Sequence, residues 1–255
     1  MSDHISFSQL SSVSECPYMY YLERLAKDDA GMPLSQQSNA FAEHGTLIHN
    51  LLDEWAKGVI PAEELPREYE RRYSDAVVSA FPRVLASKGY TSKAYELGLA
   101  YFRNFKGFPD YEILGAEQRF EYDLFGRNFV GVVDMILKHK KTGEITILDH
   151  KSKSFSSFKK AEHHMWRQQL LYEPFVHKEY GPVSKLAFNL FKENGMLIEK
   201  PFSETDQLEA MSWAKEQIDR IDFYDMLDWL KCKEKPDFFC KEICSVRMHC
   251  PTSKK

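Results

Sequence analysis

Asp134, Asp149 and Lys151 are the residues whose types and spacing point most directly to chemistry. They lie within Val130–Lys151, VGVVDMILKHKKTGEITILDHK. Two apolar, β-branched runs, Val130–Leu137 and Ile145–Leu148, flank Lys140-Lys141-Thr142-Gly143. That pattern predicts two strands and a hairpin turn, with Gly143 free to take a positive φ. Asp134 interrupts the first strand, and the second ends in Asp149-His150-Lys151. Side chains alternate along a strand, so Asp149 and Lys151 share one face and His150 takes the other. Two carboxylates on paired strands can hold a hard divalent cation, and the lysine one pleat away sets an ammonium beside it. The same residues would also suit the solvated face of an antiparallel sheet.

The rest of the chain has to position this hairpin. Ser6–Leu25 reads as helical, with an apolar stripe of Leu10, Val13, Tyr18, Tyr21, Leu22 and Leu25, divided at Pro17. Ala42–Lys57 reads as a helix with Leu47, Ile48, Leu51, Leu52 and Trp55 on its apolar face. His49 lies beside that face, one turn beyond Gly45, and taken alone suits a satisfied buried histidine. Pro61–Tyr111 is mostly helical, broken near Pro82 and Gly89. The period then changes. Tyr111–Tyr122, which contains Glu117, Asn128–Leu137 and Ile145–Lys151 form a three-stranded meander. A polar loop over Ser152–Phe158 leads to a helix over Ala161–Tyr180, where Gln168 and Tyr172 stand one turn apart. Ser184–Phe191 and Met196–Lys200 read as strands. Glu204–Lys231 reads as one long amphipathic helix, and Cys232–Cys250 as an irregular tail.

Composition sets bounds. The 255 residues suit one large domain or two small ones, and a hydrophobic content of 43% supplies a core. The net charge of −4 excludes a globally basic nucleic-acid binder but allows a local basic surface. No apolar run approaches the roughly 18 residues of a membrane span, and no membrane partner is expected. MSDHISFSQL carries no basic stretch followed by an apolar one, which points to a reducing cytoplasm. There, five cysteines are expected as thiols or metal ligands. A phosphate-binding G-x-x-x-x-G-K-[ST] loop, a G-x-S-x-G elbow and an H-E-x-x-H pair are all missing from the sequence.

In order, Gly45-x-x-x-His49, Glu117, Gly131-Val132-Val133-Asp134, Asp149-His150-Lys151 and Gln168-x-x-x-Tyr172 resemble the RecB-type branch of the PD-(D/E)xK nuclease superfamily. That branch includes recombination nucleases, CRISPR-adaptation nucleases and phage exonucleases. The opening Ser6-Phe7-Ser8 and Cys16-Pro17-Tyr18-Met19-Tyr20-Tyr21 is similar to the start of such domains. The resemblance runs from about Ser6 to Cys250. It departs from the superfamily's name in having no proline before Asp134, where the branch commonly has G-x-x-D, and in carrying Asp149, not Glu, as the acid of the final motif, which is also usual in that branch. It implies an α/β (α+β) fold: a restriction-endonuclease-like core with a mixed central sheet flanked by helices. One domain would span 1–255, with a helical part over 1–110, the nuclease core over 111–231, and a cysteine-rich tail over 232–255 packing on the N-terminal region.

The resemblance also implies roles. Asp134 and Asp149 would ligate Mg²⁺ or Mn²⁺, with His49 and the His150 carbonyl as further ligands; imidazole suits Mn²⁺ better than Mg²⁺. Lys151 would activate water and stabilise charge on a scissile phosphate. Gln168 and Tyr172 would contact substrate or steady the site, and Glu117 would support the ligands or be structural. A phosphodiester repels hydroxide, and a cation with a lysine at the point of attack lowers that barrier. The expected activity is hydrolysis of DNA, as an exonuclease at DNA ends in recombination, repair or phage replication, in a bacterial or phage-infected cytoplasm and with a helicase or recombination partner. The alternative is a non-catalytic DNA-binding or assembly subunit; an intact His49, Asp134, Asp149 and Lys151 argues for catalysis.

Cys240, Cys244 and Cys250 form a C-x₃-C-x₅-C cluster. With Cys16 they resemble the four cysteines that hold a [4Fe–4S] cluster in some members of that branch. Cys232 could substitute for one of them. Zinc, or thiols that merely pack, are the alternatives.

Overall fold

The computed structural model describes residues 4–232 and 236–253. Residues 233–235, inside the tail expected over Cys232–Cys250, lie outside the described residues. In chain order the elements are β1 (His4–Ile5), α1 (Phe7–Glu15), α2 (Pro17–Tyr20), a π-helical turn (Tyr21–Leu25), α3 (Ala40–Ala56), α4 (Leu65–Ala76), α5 (Arg83–Ala86) and α6 (Tyr90–Asn104). There follow β2 (Tyr111–Leu124), β3 (Arg127–His139), β4 (Ile145–Lys151), α7 (Phe155–Tyr180), β5 (Val183–Leu190), a 3₁₀ turn (Phe191–Glu193), β6 (Met196–Pro201), α8 (Glu204–Phe223), α9 (Met226–Trp229) and a second π-helical turn (Phe239–Ile243). Helices and strands together form a mixed α/β fold. The strand order is β1-β3-β4-β5-β6, with β2 pairing β3.

The chain divides into two compact units. One comprises Ala40–Glu121 and Gly131–Leu208. In it, β3 and β4 pair antiparallel, β4 and β5 parallel, and β5 and β6 antiparallel. Strand β4 is therefore internal, and Ile145–His150 are all buried. Its turn is the expected one, with Gly143 at φ +76°. Helices α3, α4 and α6 close over a core that includes Leu47, Leu51, Leu65, Tyr69, Phe102 and Phe191.

The other unit comprises Met1–Asn39, Tyr122–Val130 and Glu209–Lys255. Ser6 caps α1 through a reciprocal bond pair with Gln9. As expected, Pro17 opens a separate helix, where its missing N–H costs nothing. Tyr20 stacks on Trp229 at 5.3 Å, Trp213 donates to Ser14 Oγ at 3.3 Å, and Arg127 pairs with Asp222. Gln37 N donates to the Ser245 carbonyl at 2.8 Å, and Ser245 Oγ to Glu23 at 2.6 Å.

Two expectations need correction. The loop expected over Ser152–Phe158 is helical from Phe155, because Ser154 caps α7 by accepting from Ser157 N. Serine there favours a helix start, not a loop. The single helix expected over Glu204–Lys231 ends at Phe223, and α9 begins afresh because Asp225 caps it reciprocally with Asp228.

Candidate active site

Strand β4 delivers Asp149 and Lys151 to one face, as alternation requires. The Lys151 ammonium lies 2.9 Å from Asp149 Oδ1 and 2.8 Å from Oδ2, and it donates to Gln168 Oε1 at 3.0 Å. Gln168 Nε2 in turn donates to the Tyr172 hydroxyl at 3.2 Å. The i, i+4 pair on α7 is thus a brace that aims the lysine. Gly131 makes the brace fit, because a β-carbon there would stand 2.5 Å from Phe120 Cζ and 2.9 Å from Tyr172 Cε1.

Asp134 comes from β3 and accepts from His150 N at 2.8 Å, which ties the two strands together beside the acids. Helix α3 brings His49 to the same place. Its Nδ1 is 3.4 Å from Asp134 Oδ2 and 3.8 Å from Glu117 Oε1. Its Nε2 is 2.9 Å from the His150 carbonyl oxygen. That separation suits an N–H···O bond, and equally suits adjacent ligands of an octahedral ion with bonds of about 2.1 Å, whose edges are about 3 Å. Glu117 reaches the group from β2 with φ +45°. The left-handed region costs a non-glycine residue of order 1–2 kcal/mol, and strain of this kind gathers where a side chain is aimed for function.

Among the described residues, His49, Glu117 and Asp134 offer three ligand atoms within 4.8 Å of one another. Asp149 is 4% exposed, and the Lys151 ammonium is the partner of its buried Oδ2. Charges in this pocket are poorly balanced. Burial raises the pKa of both Asp134 and Asp149, against the pull of Lys151 and His49. Burial also opposes charge on His49, but Asp134, Glu117 and Asp149 outweigh it and lift its pKa to about 9. The acids disfavour their own charge while the imidazole gains one, as expected of a pocket short of a cation.

His150 faces the other way and is buried and neutral. Burial, then His49 and Lys151, hold its pKa well below the usual histidine value. Its Nδ1 meets Asn189 Nδ2 at 3.0 Å, and the same amide donates to Tyr101 Oη at 2.7 Å. Asn189 went unassigned from the sequence, yet a polar residue inside the apolar run LAFNLF was its signal.

The sequence matches the PD-(D/E)XK nuclease superfamily over residues 4–251. The chain belongs to the PD-(D/E)XK nuclease superfamily. These nucleases use divalent metal ions, and the ligand group at His49, Glu117 and Asp134 could bind one. No curated protein matches the chain. Among solved structures, a candidate exonuclease from Eubacterium rectale is similar at 13% identity and a TM-score of 0.46, over 92% of this chain and 91% of that one.

In this PD-(D/E)XK nuclease the cysteines also converge. Cys16, Cys232, Cys240, Cys244 and Cys250 line one cavity with Tyr18, Met19, Leu22 and Val246. All five are thiols. Burial raises the Cys244 pKa to about 11, so its thiolate needs a cationic partner to form near neutral pH. Cys232 Sγ lies 3.1 Å from Thr252 Oγ1. No helix among the described residues is long and apolar enough to cross a membrane.

Proposed function

We propose that this protein is a divalent-metal-dependent deoxyribonuclease acting as an exonuclease at DNA ends. The observation that carries it is the convergence of His49, Glu117 and Asp134 beside the Asp149–Lys151–Gln168 chain. The donor set fits an ion. Carboxylate oxygens with one imidazole, three ligand atoms within 4.8 Å of one another, suit Mn²⁺ and tolerate Mg²⁺. Asp134, Asp149, His49, Glu117 and the His150 carbonyl would hold it. When bound, it would supply Lewis acidity and neutralise charge at the scissile phosphate.

The residues supply the rest. Lys151, aimed by Gln168 and Tyr172, orients the attacking water and stabilises the negative charge that builds on the phosphate oxygens. Asp149 holds the ammonium in place by ion-pairing with it. The His150 amide fixes Asp134, and the Asn189–Tyr101 chain fixes His150 on its far side.

The test is digestion of linear and circular DNA with Mn²⁺ or Mg²⁺, against Asp149→Ala. Loss of the linear form alone, abolished by the substitution and by EDTA, is the expected result. Equal digestion by wild type and variant would defeat the catalytic reading and leave a binding or assembly subunit. Digestion of circles would make it an endonuclease. An exonuclease of this kind fits recombination, repair or phage replication, where a helicase partner would feed it strands.

The cysteine cavity suits a [4Fe–4S] cluster on Cys16, Cys240, Cys244 and Cys250. Zinc on the same thiols is the alternative, and the metal content of the purified protein decides between them. A cluster there would staple residues from both ends of the sequence and take no part in hydrolysis. Anaerobically purified protein should be brown and contain iron and sulfide; colourless protein containing zinc would overturn the assignment.

A further inference from the structure

Beyond Lys151 the same unit holds a second lysine with no use in the chemistry above. Leu190 lies opposite Lys151 in the β4–β5 register, and the turn that follows sets Lys192 just past that row. The Lys192 ammonium donates to Tyr90 Oη at 2.8 Å and lies 5.2 Å from the Phe41 ring centre and 5.5 Å from that of Tyr90. Among the described residues no carboxylate pairs with it, and the charge nearest in effect is another cation, Lys153. Burial and then Lys153 lower its pKa to about 8. The buried histidine behind it, His44, is kept neutral by burial and by Lys192, and meets Tyr69 Oη at 2.9 Å. A half-buried ammonium without an anion is destabilising. Rings and a phenol oxygen hold it in place here without neutralising it.

Helix α3 connects this cation to the candidate ion site. Phe41, Gly45 and His49 recur every fourth residue, so they share one face. Eight residues at 1.5 Å each put Phe41 about 12 Å along the axis from His49. Midway, Gly45 has no side chain, and a β-carbon there would be 4.0 Å from Ser152 Oγ, on the residue after Lys151. This face of α3 thus runs from His49, past the Gly45–Ser152 approach, to the Phe41 ring beside Lys192.

We propose that Lys192 is a substrate-positioning residue that takes a backbone phosphate of the DNA strand, upstream or downstream of the cut, along the Phe41–Gly45–His49 face. The proposal rests on the nuclease reading and deepens it, since it fixes where the strand runs and how long it must be. At 3.4 Å per nucleotide of stacked strand, and more when extended, the phosphate lies about two to four nucleotides from the cleaved bond. The phosphate supplies the anion that the protein withholds.

The experiment measures kcat and KM on oligonucleotides with Mn²⁺ between 50 and 200 mM salt (roughly the range over which phosphate contacts weaken steeply). Lys192→Gln and Lys192→Met should raise KM about three- to tenfold with kcat held, and should flatten the plot of log kcat/KM against log salt by about 0.7, the slope of one single-strand phosphate contact. Lys192→Arg should restore both. The KM effect should shrink to below about twofold on a dinucleotide, too short to reach Lys192 by the spacing above. Melting temperatures of the Gln and Met variants should match or exceed wild type, because an unpaired charge is removed; this separates a lost contact from a folding defect. An unmoved salt slope, or an equal loss on the dinucleotide, overturns the assignment. If wild type cleaves DNA and only the slope fails to move, this inference falls alone. If wild type neither binds nor cleaves DNA, the nuclease reading falls and takes it along.

Discussion

Replacing Gly131 by alanine adds a methyl group where two aromatic rings leave it no room. The new carbon would stand 2.5 Å from Phe120 Cζ, 2.7 Å from Phe120 Cε1 and 2.9 Å from Tyr172 Cε1. Carbon pairs settle at about 3.5–4.0 Å, so the rings must retreat by about 1 Å. Neither has slack. Phe120 stacks on Phe175 at 5.0 Å and meets Tyr172 edge-on at 4.9 Å, and both rings are buried. Overpacking of this size costs about 1–3 kcal/mol. In a chain of this length that lowers Tm by about 2–12 °C.

The same displacement reaches the chemistry. Tyr172 Oη receives Gln168 Nε2, and Gln168 Oε1 receives the Lys151 ammonium. A reacting group misplaced by about 1 Å loses on the order of 10²-fold in rate. Thermal melts paired with single-turnover cleavage at saturating Mn²⁺, well below both melting points, measure the two effects together. Gly131→Ala should melt lower and cleave roughly 10- to 100-fold more slowly, while Mn²⁺ affinity falls by less than the rate, because the displaced rings touch the Lys151 brace directly and His49 comes from α3. Gly143→Ala is the control. Its φ is +76° but no neighbour lies within 4 Å, so it should cost about 1 kcal/mol of stability and leave the rate alone. A Gly131→Ala protein that melts and cleaves like wild type would refute the brace.

Two further outcomes follow from the site. Lys151→Met should keep cation binding, and even tighten it once the ammonium no longer competes for Asp149, while turnover falls about 10²–10³-fold; undiminished turnover would show that the lysine is misassigned. His49, with its pKa raised to about 9, is an imidazolium in the cation-free protein at neutral pH, so a bound ion must displace its proton. Mn²⁺ affinity should therefore climb by up to about tenfold per pH unit between pH 7 and 9; affinity independent of pH would contradict it. The sign for stability runs the other way. The folded pKa lies above the usual 6.5, so the imidazolium stabilises the cation-free fold fully below about pH 6.5, and that contribution is lost as pH rises through about 9.

Parts of the site were legible because they depend on local periods. The two-residue repeat puts Asp149 and Lys151 together, and the four-residue repeat puts Gln168 under Tyr172. The approach of His49 to Asp134 depends on how α3 meets the sheet, which no local period encodes; the ordered motifs supplied that expectation instead. Glu117 was harder still. A strand read from alternation assumes a regular pleat, and φ +45° breaks it just where the carboxylate turns toward His49. The start of α7 was obscured because serine is common both in loops and at helix caps, and the bond from Ser157 N to Ser154 Oγ decides between them. The end of α8 was hidden because the apolar pattern of Glu204–Lys231 continues through Asp225, whose reciprocal cap breaks the helix.

The unit that carries the site sets three carboxylates, Glu117, Asp134 and Asp149, against two cationic side chains, His49 and Lys151, and among the described residues gives Lys192 no acid. Asp134 is half-buried and Asp149 buried, both with raised pKa values, and Lys192 is held among rings with no carboxylate partner among the described residues. A fold selected for stability alone would not retain these groups, because each is costly to bury. An ion and a phosphate together would answer both deficits, and the cation half can be measured without any substrate. Mn²⁺ at about 100 times its Kd should stabilise the folded state by about 2.7 kcal/mol, raising Tm by about 5–11 °C in a chain of this size. Asp134→Asn should abolish most of that rise, since it removes a carboxylate from the only three-ligand group found among the described residues. A wild-type Tm unmoved by Mn²⁺ and by Mg²⁺ would mean that the buried acids are not there for a cation.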